Sequence, residues 1–221
     1  MYNQSGLPEV INCIFWDSIS DSNDTDEFIQ IDGQIPIVTF SCIQDLVAGD
    51  ANVPFGGSAN NNIDTDPLFV RSPDDGGDGW GVGNNDNFGD LRLLPGSACI
   101  DAGDGTAVIQ DITDFNGNGD TNEPIPWDLK SNPRFSEDPD SVDSGIPVEL
   151  GQPIIDIGAY EFFEIGDFDV DGVVNLRDFA IFSAAWQSSK DGNNWNPNCD
   201  ISEPGDDVID QMDFMEFVAN W

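Results

Sequence analysis

The apolar positions of this chain follow a period of two early on and a period near 3.6 at the end. Residues 9–16 (Glu-Val-Ile-Asn-Cys-Ile-Phe-Trp) and 37–43 (Ile-Val-Thr-Phe-Ser-Cys-Ile) alternate as strands with one buried face do. Alternation puts Ile11, Cys13 and Phe15 on one face, and Val38, Phe40 and Cys42 on the equivalent face of the second strand. Asn12-Cys13-Ile14 returns as Ser41-Cys42-Ile43 at an offset of 29, so the two strands are expected to stack as successive coils of a solenoid. Two coils cannot bury their own faces, which implies earlier coils upstream. Toward the end, Asp178-Phe179, Phe182, Ala184 and Trp186 return 35 positions on as Asp213-Phe214, Phe217, Ala219 and Trp221. That spacing predicts two helices, each with one apolar stripe facing the other. Residues 71–89, rich in Gly, Asp and Asn around Trp80, and 136–152, rich in Ser, Pro and Asp, read as loops.

An acidic loop precedes each helix. The first places Asp167, Asp169, Asp171, Asn175 and Asp178 at loop positions 1, 3, 5, 9 and 12, with Gly172 at 6. This is calcium-loop spacing: the glycine turns the backbone so that the Val173 carbonyl can join the side-chain oxygens. Four carboxylates around one point repel, at roughly 4–5 Å and an effective dielectric near 20, by about 3–4 kcal/mol per pair, so a cation is expected to close the loop. The second loop is degenerate. Its ligand candidates are Asp200, Ser202, Asp206, the Val208 carbonyl, Asp210 and Asp213, with Asp207 where glycine is expected. A carboxylate at its first position requires a loop two residues longer. A third candidate is the turn holding Asp114, Asn116, Asn118, Asp120 and Glu123, for which a Gly/Asn-rich turn with positive φ is the competing reading.

Forty-three acidic against 6 basic residues give a net charge of −37, which sets nucleic acid and anionic membrane aside as partners. A hydrophobic fraction of 38%, with 15 Phe and 6 Trp, supplies enough apolar surface for a folded chain despite that charge. Histidine is absent, and Cys13, Cys42, Cys99 and Cys199 show no paired metal-ligand spacing, so a zinc site is not expected. Three disulfide pairings remain open. No run of 18 apolar residues exists to span a membrane.

With its two loop-helix units and no helical period ahead of the first, the segment 164–221 resembles a type I dockerin. The β-forming order Ile157-Gly-Ala-Tyr160-Glu-Phe162-Phe163 stands where an ordinary EF-hand would place its entering helix. The resemblance implies two calcium sites and a cohesin-like protein partner. That partner would be met by Leu176-Arg177 and Gln211-Met212 at loop positions 10 and 11. These pairs depart from the Ser-Thr pairs familiar in cellulosomal dockerins, and internal packing of Leu176 and Met212 is the competing reading. Residues 63–70 (Ile-Asp-Thr-Asp-Pro-Leu-Phe-Val), 90–104 (Asp-Leu-Arg-Leu-Leu-Pro-Gly-Ser-Ala-Cys-Ile-Asp-Ala-Gly-Asp) and 156–162 (Asp-Ile-Gly-Ala-Tyr-Glu-Phe) resemble the closing coils of secreted, pectate-lyase-like proteins of the choice-of-anchor type. The fold class expected is therefore mainly β. Residues 1–163 are the C-terminal part of a right-handed parallel β-helix, and 164–221 a small all-α calcium-binding module.

Function then reads as calcium-dependent attachment at the end of an exported protein concerned with polysaccharide, secreted or at the cell surface. The alternative is a fragment of a polysaccharide lyase or glycoside hydrolase whose catalytic coils lie upstream. No Ser-His-Asp or Cys-His site can exist without histidine, and among 43 acidic residues carboxylate spacing says nothing. Arg71, Arg92, Arg134 and Arg177 form no catalytic pattern, and Trp80, Trp127 and Trp195 fit loop packing as well as sugar stacking. The chain by itself is not expected to cleave polysaccharide.

Overall fold

A computed structural model describes residues 2–3, 8–17, 32–33, 36–44, 54–169, 173–202 and 205–221. The chain divides into two compact units, Met1–Phe162 and Phe163–Trp221.

In the first unit the early strands pair in parallel: β1 (Tyr2–Asn3) with β4 (Asp32–Gly33), β2 (Glu9–Ile11) with β5 (Ile37–Thr39), and β3 (Ile14–Phe15) with β6 (Cys42–Ile43). Val10 lies opposite Val38 and Ile14 opposite Cys42, an offset of 28 where residue identity gave 29. The register follows the backbone. Asn12 (φ 58°) and Phe40 (φ 47°) both take the left-handed conformation, making matching corners between the short strands, and the Asn12 N–H donates to the Phe40 carbonyl at 3.0 Å. Each corner also reverses which parity faces inward. Cys13 and Phe15 thus pack with Val10 and Val38, whereas Cys42 joins a second core with Leu93, Cys99 and Ile157. That corrects the expected faces, which assumed uninterrupted alternation. Residues 60–63 form a further layer, with Phe40 N–H on the Asn60 carbonyl at 3.2 Å and Ile43 N–H on the Ile63 carbonyl at 2.8 Å. Buried Asn62 ties this layer down by accepting from Ser41 N–H at 3.1 Å and donating to the Val38 carbonyl at 3.0 Å.

The segments resembling closing coils behave differently. β7 (Phe69–Arg71) and β8 (Asp90–Leu93) pair antiparallel, Phe69 opposite Leu93, and the Asp74–Asn87 bridge extends the ribbon. Near its end Trp80 stacks on Phe88 with ring centres 5.6 Å apart, both rings exposed. Residues 155–157 lie along 99–103 through Ile157 N–H on the Cys99 carbonyl (2.9 Å) and Gly103 N–H on the Ile155 carbonyl (2.8 Å). Among the described residues every sheet has two strands, and no closed or continuous solenoid sheet forms.

The second unit is built on α1 (Leu176–Ala185) and α2 (Gln211–Ala219). Both start with a capping box: Asn175 accepts from Arg177 N–H (2.9 Å) while Asp178 accepts from Asn175 N–H (2.8 Å), and Asp210 and Asp213 repeat this at α2. Their stripes interlock with near two-fold symmetry. Phe182 stacks on Phe217 at 5.5 Å and 7°, Trp186 meets Phe214 edge-on at 6.0 Å, and the mirrored pair Trp221–Phe179 lies at 6.2 Å. Phe182 and Phe217 are fully buried; the outer rings of Phe179, Phe214 and both tryptophans remain exposed at the edge of the seam. Within the described residues no helix is long and apolar enough to cross a membrane.

Candidate metal centres

Among the described residues two groups of three carboxylates could hold a metal ion, each with its oxygens within 4.8 Å of one another: Asp167, Asp169 and Asp178, and Asp101, Glu137 and Asp143. The first lies at the head of α1, where loop and helix are locked together by one side chain. Asp178 is fully buried. One of its oxygens accepts from the N–H groups of Phe168 (2.6 Å) and Asp169 (3.1 Å), and the other accepts from Asn175. These bonds fold the loop back so that the Asp167 and Asp169 carboxylates meet that of Asp178. Gly166, at φ 98°, lets the loop begin close to α2, for a Cβ there would stand 3.1 Å from the Phe217 ring. Asp171 lies outside the described residues. The Val173 carbonyl accepts from the Asn175 side-chain amide at 2.7 Å, and Asn175 also caps α1, so both groups already have protein partners.

The second loop repeats the backbone of the first but not its carboxylate convergence. Asp213, fully buried, accepts from the N–H groups of Ile201 (2.8 Å), Ser202 (2.9 Å) and Asp210 (2.8 Å). Phe168 and Asp169 thereby correspond to Ile201 and Ser202, and the path to the buried aspartate is two residues longer. Asp200 accepts from Asp207 N–H at 3.1 Å through one oxygen, its other oxygen is buried without a partner, and burial pushes its carboxyl up. Asp206 accepts from Val208 N–H (3.0 Å) and Asp210 from Met212 N–H (2.7 Å), both in local turns. Among the described residues no three carboxylates of this loop converge as those of the first loop do. Asp207, at the position where glycine was expected, takes φ 61° and pairs with Lys190 at 2.9 Å on the surface.

Leu176, Arg177, Gln211 and Met212 are all exposed, Leu176 at 71% and Met212 at 62%, so neither apolar residue packs inside the module. At the third candidate turn, the Asn116 and Asn118 amides donate to the Glu123 carboxylate at 2.7 and 2.8 Å. Asp114, Asp120 and Glu123 do not converge, and Asp114, Gly117 and Gly119 all take positive φ, as the turn reading requires. Arg92 is held by Asp90 two residues before it, and Trp195 packs against the core of the second unit.

Sequence reasoning missed the chain of buried carboxylates in the first unit. Asp156 accepts from Asp101 N–H (2.8 Å) and Phe162 N–H (2.5 Å), Glu161 accepts from Asp156 N–H (3.1 Å), and Asp128 accepts from Glu161 N–H (3.2 Å). Burial pushes Asp156 up to about 7 and Glu161 well above the usual carboxylate range. Only the resemblance to β-helix closing coils had marked Asp156 and Glu161, and it carried no chemistry for them. The four cysteines are free thiols. Cys99 hydrogen-bonds the Cys42 sulfur in the core, whereas Cys13 donates to the Ile11 carbonyl at 3.2 Å. Neither a known family, nor a curated protein, nor a solved structure matches the chain.

Proposed function

We propose that Phe163–Trp221 is a calcium-dependent attachment module of the dockerin type, recognised by a cohesin-like domain. On this reading Met1–Phe162 is the end of a right-handed parallel β-helix in an exported protein concerned with polysaccharide binding or breakdown. The convergence of Asp167, Asp169 and Asp178 carries the proposal. An all-oxygen, all-carboxylate donor set suits a hard cation, and calcium accepts the six to eight oxygens that Asp171, the Val173 carbonyl and Asn175 would help complete. The recurrence of the same backbone lock at Asp213 gives the module two equivalent helix heads, with Leu176-Arg177 exposed on one and Gln211-Met212 exposed on the other. Parallel stacking of residues 12–15, 40–43 and 60–63 supports the coil reading for the first unit.

Thermal unfolding of the chain with calcium and with chelator tests the module. Calcium at 100 times its dissociation constant adds about 2.7 kcal/mol per site to the folded state. The helical transition should move up accordingly in the natural chain and much less in Asp169→Asn, which removes an exposed carboxylate without touching the buried lock. Capture of a cohesin-type domain should likewise need calcium and weaken in a Leu176→Ala/Met212→Ala variant. Equal midpoints with and without calcium would remove the basis for the proposal.

A further inference from the structure

The second carboxylate group, in the first unit, differs in kind from the acidic surface around it. Glu137 and Asp143 are exposed and by themselves would be two more solvated acids. Asp101 is 1% exposed, neither of its carboxylate oxygens makes a well-formed hydrogen bond, and the Asp138 N–H is a backbone donor near it. A buried carboxylate without well-formed hydrogen bonds is strongly disfavoured. Elsewhere in this chain the fold supplies them: Asp178 and Asp213 receive three backbone N–H groups each, and Asp156 receives two. What faces Asp101 instead is a pair of further carboxylates, all three within 4.8 Å.

The backbone holds this arrangement independently of any ion. The Asp101 carbonyl accepts from Ser144 N–H (2.9 Å) and Gly145 N–H (3.0 Å), and Ile146 N–H donates to the Gly103 carbonyl (2.8 Å). Asp143 is therefore fixed one residue before the strap touches down on Asp101. Gly145 permits the contact, since a Cβ there would lie 2.1 Å from the Gly103 oxygen. Glu137 stands just ahead of the turn closed by Ser141 N–H on the Asp138 carbonyl (3.1 Å) and the Ser141 hydroxyl on the Asp138 carboxylate (2.6 Å). Asp101 itself takes φ 49°, a strained conformation for a residue with a side chain, at the point where the strap is anchored.

We propose that Asp101, Glu137 and Asp143 form a binding site for a hard divalent cation of the calcium type, clamping the 137–145 strap to the segment after Cys99. Three carboxylates with no nitrogen or sulfur among them select calcium or magnesium over zinc or copper, and the exposed side leaves room for water to complete the shell. The buried oxygens of Asp101 supply the inner face, and the two exposed side chains close over the ion.

Calcium alone is the probe, with the whole chain in about 0.15 M salt so that diffuse binding to the acidic surface is screened. Bound calcium is counted by equilibrium dialysis, and amide hydrogen exchange is followed at Ser144, Gly145 and Ile146. The natural chain should show slower exchange at these amides with calcium. The Glu137→Gln/Asp143→Asn variant, altered only at exposed side chains, should bind about one ion fewer and lose that protection. Asp169→Asn should leave the calcium-dependent strap protection unchanged, which separates this site from the loop ahead of α1. An unchanged ion count in the double variant, or exchange at Ser144–Ile146 indifferent to calcium in the natural chain, overturns the proposal.

Discussion

Glu161 shows how a single buried carboxylate can govern the response of the first unit to pH. One of its oxygens accepts from Asp156 N–H, the other is buried without a partner, and Asp156, Asp128 and Arg134 are the charged groups around it. Burial is the main cause of its raised pKa, followed by the Asp156 charge. The folded chain therefore holds this proton more tightly than the unfolded chain does. The resulting stabilisation is fully present below the ordinary value of 4.5 and is lost as the pH climbs through the raised one. Glu161→Gln, which keeps a neutral acceptor, is expected to match the natural chain within about 1 kcal/mol at pH 5. It should become the more stable of the two at pH 8. Unfolding midpoints of both chains between pH 5 and 8 check this; parallel curves would mean that Glu161 does not titrate differently on folding.

Helices α1 and α2 hold each other through rings, and the two-fold relation between their stripes makes a sharp expectation. Phe182 and Phe217 occupy equivalent buried positions and stack on each other, so Phe182→Ala and Phe217→Ala should each cost about 3–5 kcal/mol and agree closely. Trp186 and Trp221 hold equivalent exposed positions at the edge, at 40% and 56%, and their removal should cost clearly less. Denaturant unfolding followed by helical circular dichroism gives all four numbers. A Phe217 variant much milder than the Phe182 variant would show that the second stripe is not an equivalent half of the core. The strands of the first unit are governed differently. Each has two to four residues, too few to set a register by side-chain pattern, so the left-handed corners at Asn12 and Phe40 set it through the backbone.

Across the whole molecule the dominant force on the surface is self-repulsion. A net charge of −37 is spread over 221 residues with 6 basic side chains, and the Arg92–Asp90 and Lys190–Asp207 pairs lie among that excess. Salt shortens the reach of this repulsion from roughly 30 Å at 0.01 M to about 10 Å at 0.1 M. Adding potassium chloride over that range, with chelator present, should therefore raise stability by about 1 kcal/mol, or about 2–4 °C for a chain of this size. The sign is the discriminating feature, because a fold held by surface ion pairs would lose stability under the same change. Calcium should act on top of this effect and at far lower concentration if its sites are the carboxylate groups described above.

The spacing of Phe179, Phe182 and Trp186, returning 35 residues later, marks the two helices and their facing stripes, because helical contacts are local and their period is written directly into the chain. Asp167, Asp169 and Asp178 were legible for the same reason: a calcium-type loop gathers its ligands from a short continuous stretch. The Asp101 group was not legible. Its members are 36 and 42 positions apart in a chain with 43 acidic residues, so only the hydrogen bonds that lay the 144–146 strap on residues 101–103 bring them together. Burial was decided at the same level, since nothing in the residue order separates Asp101, which makes no well-formed hydrogen bond, from Asp178, which accepts three. Local periodicity therefore determined the helices and the first loop. Which distant carboxylates meet, and which of them lack a well-formed hydrogen bond, was decided by the tertiary structure.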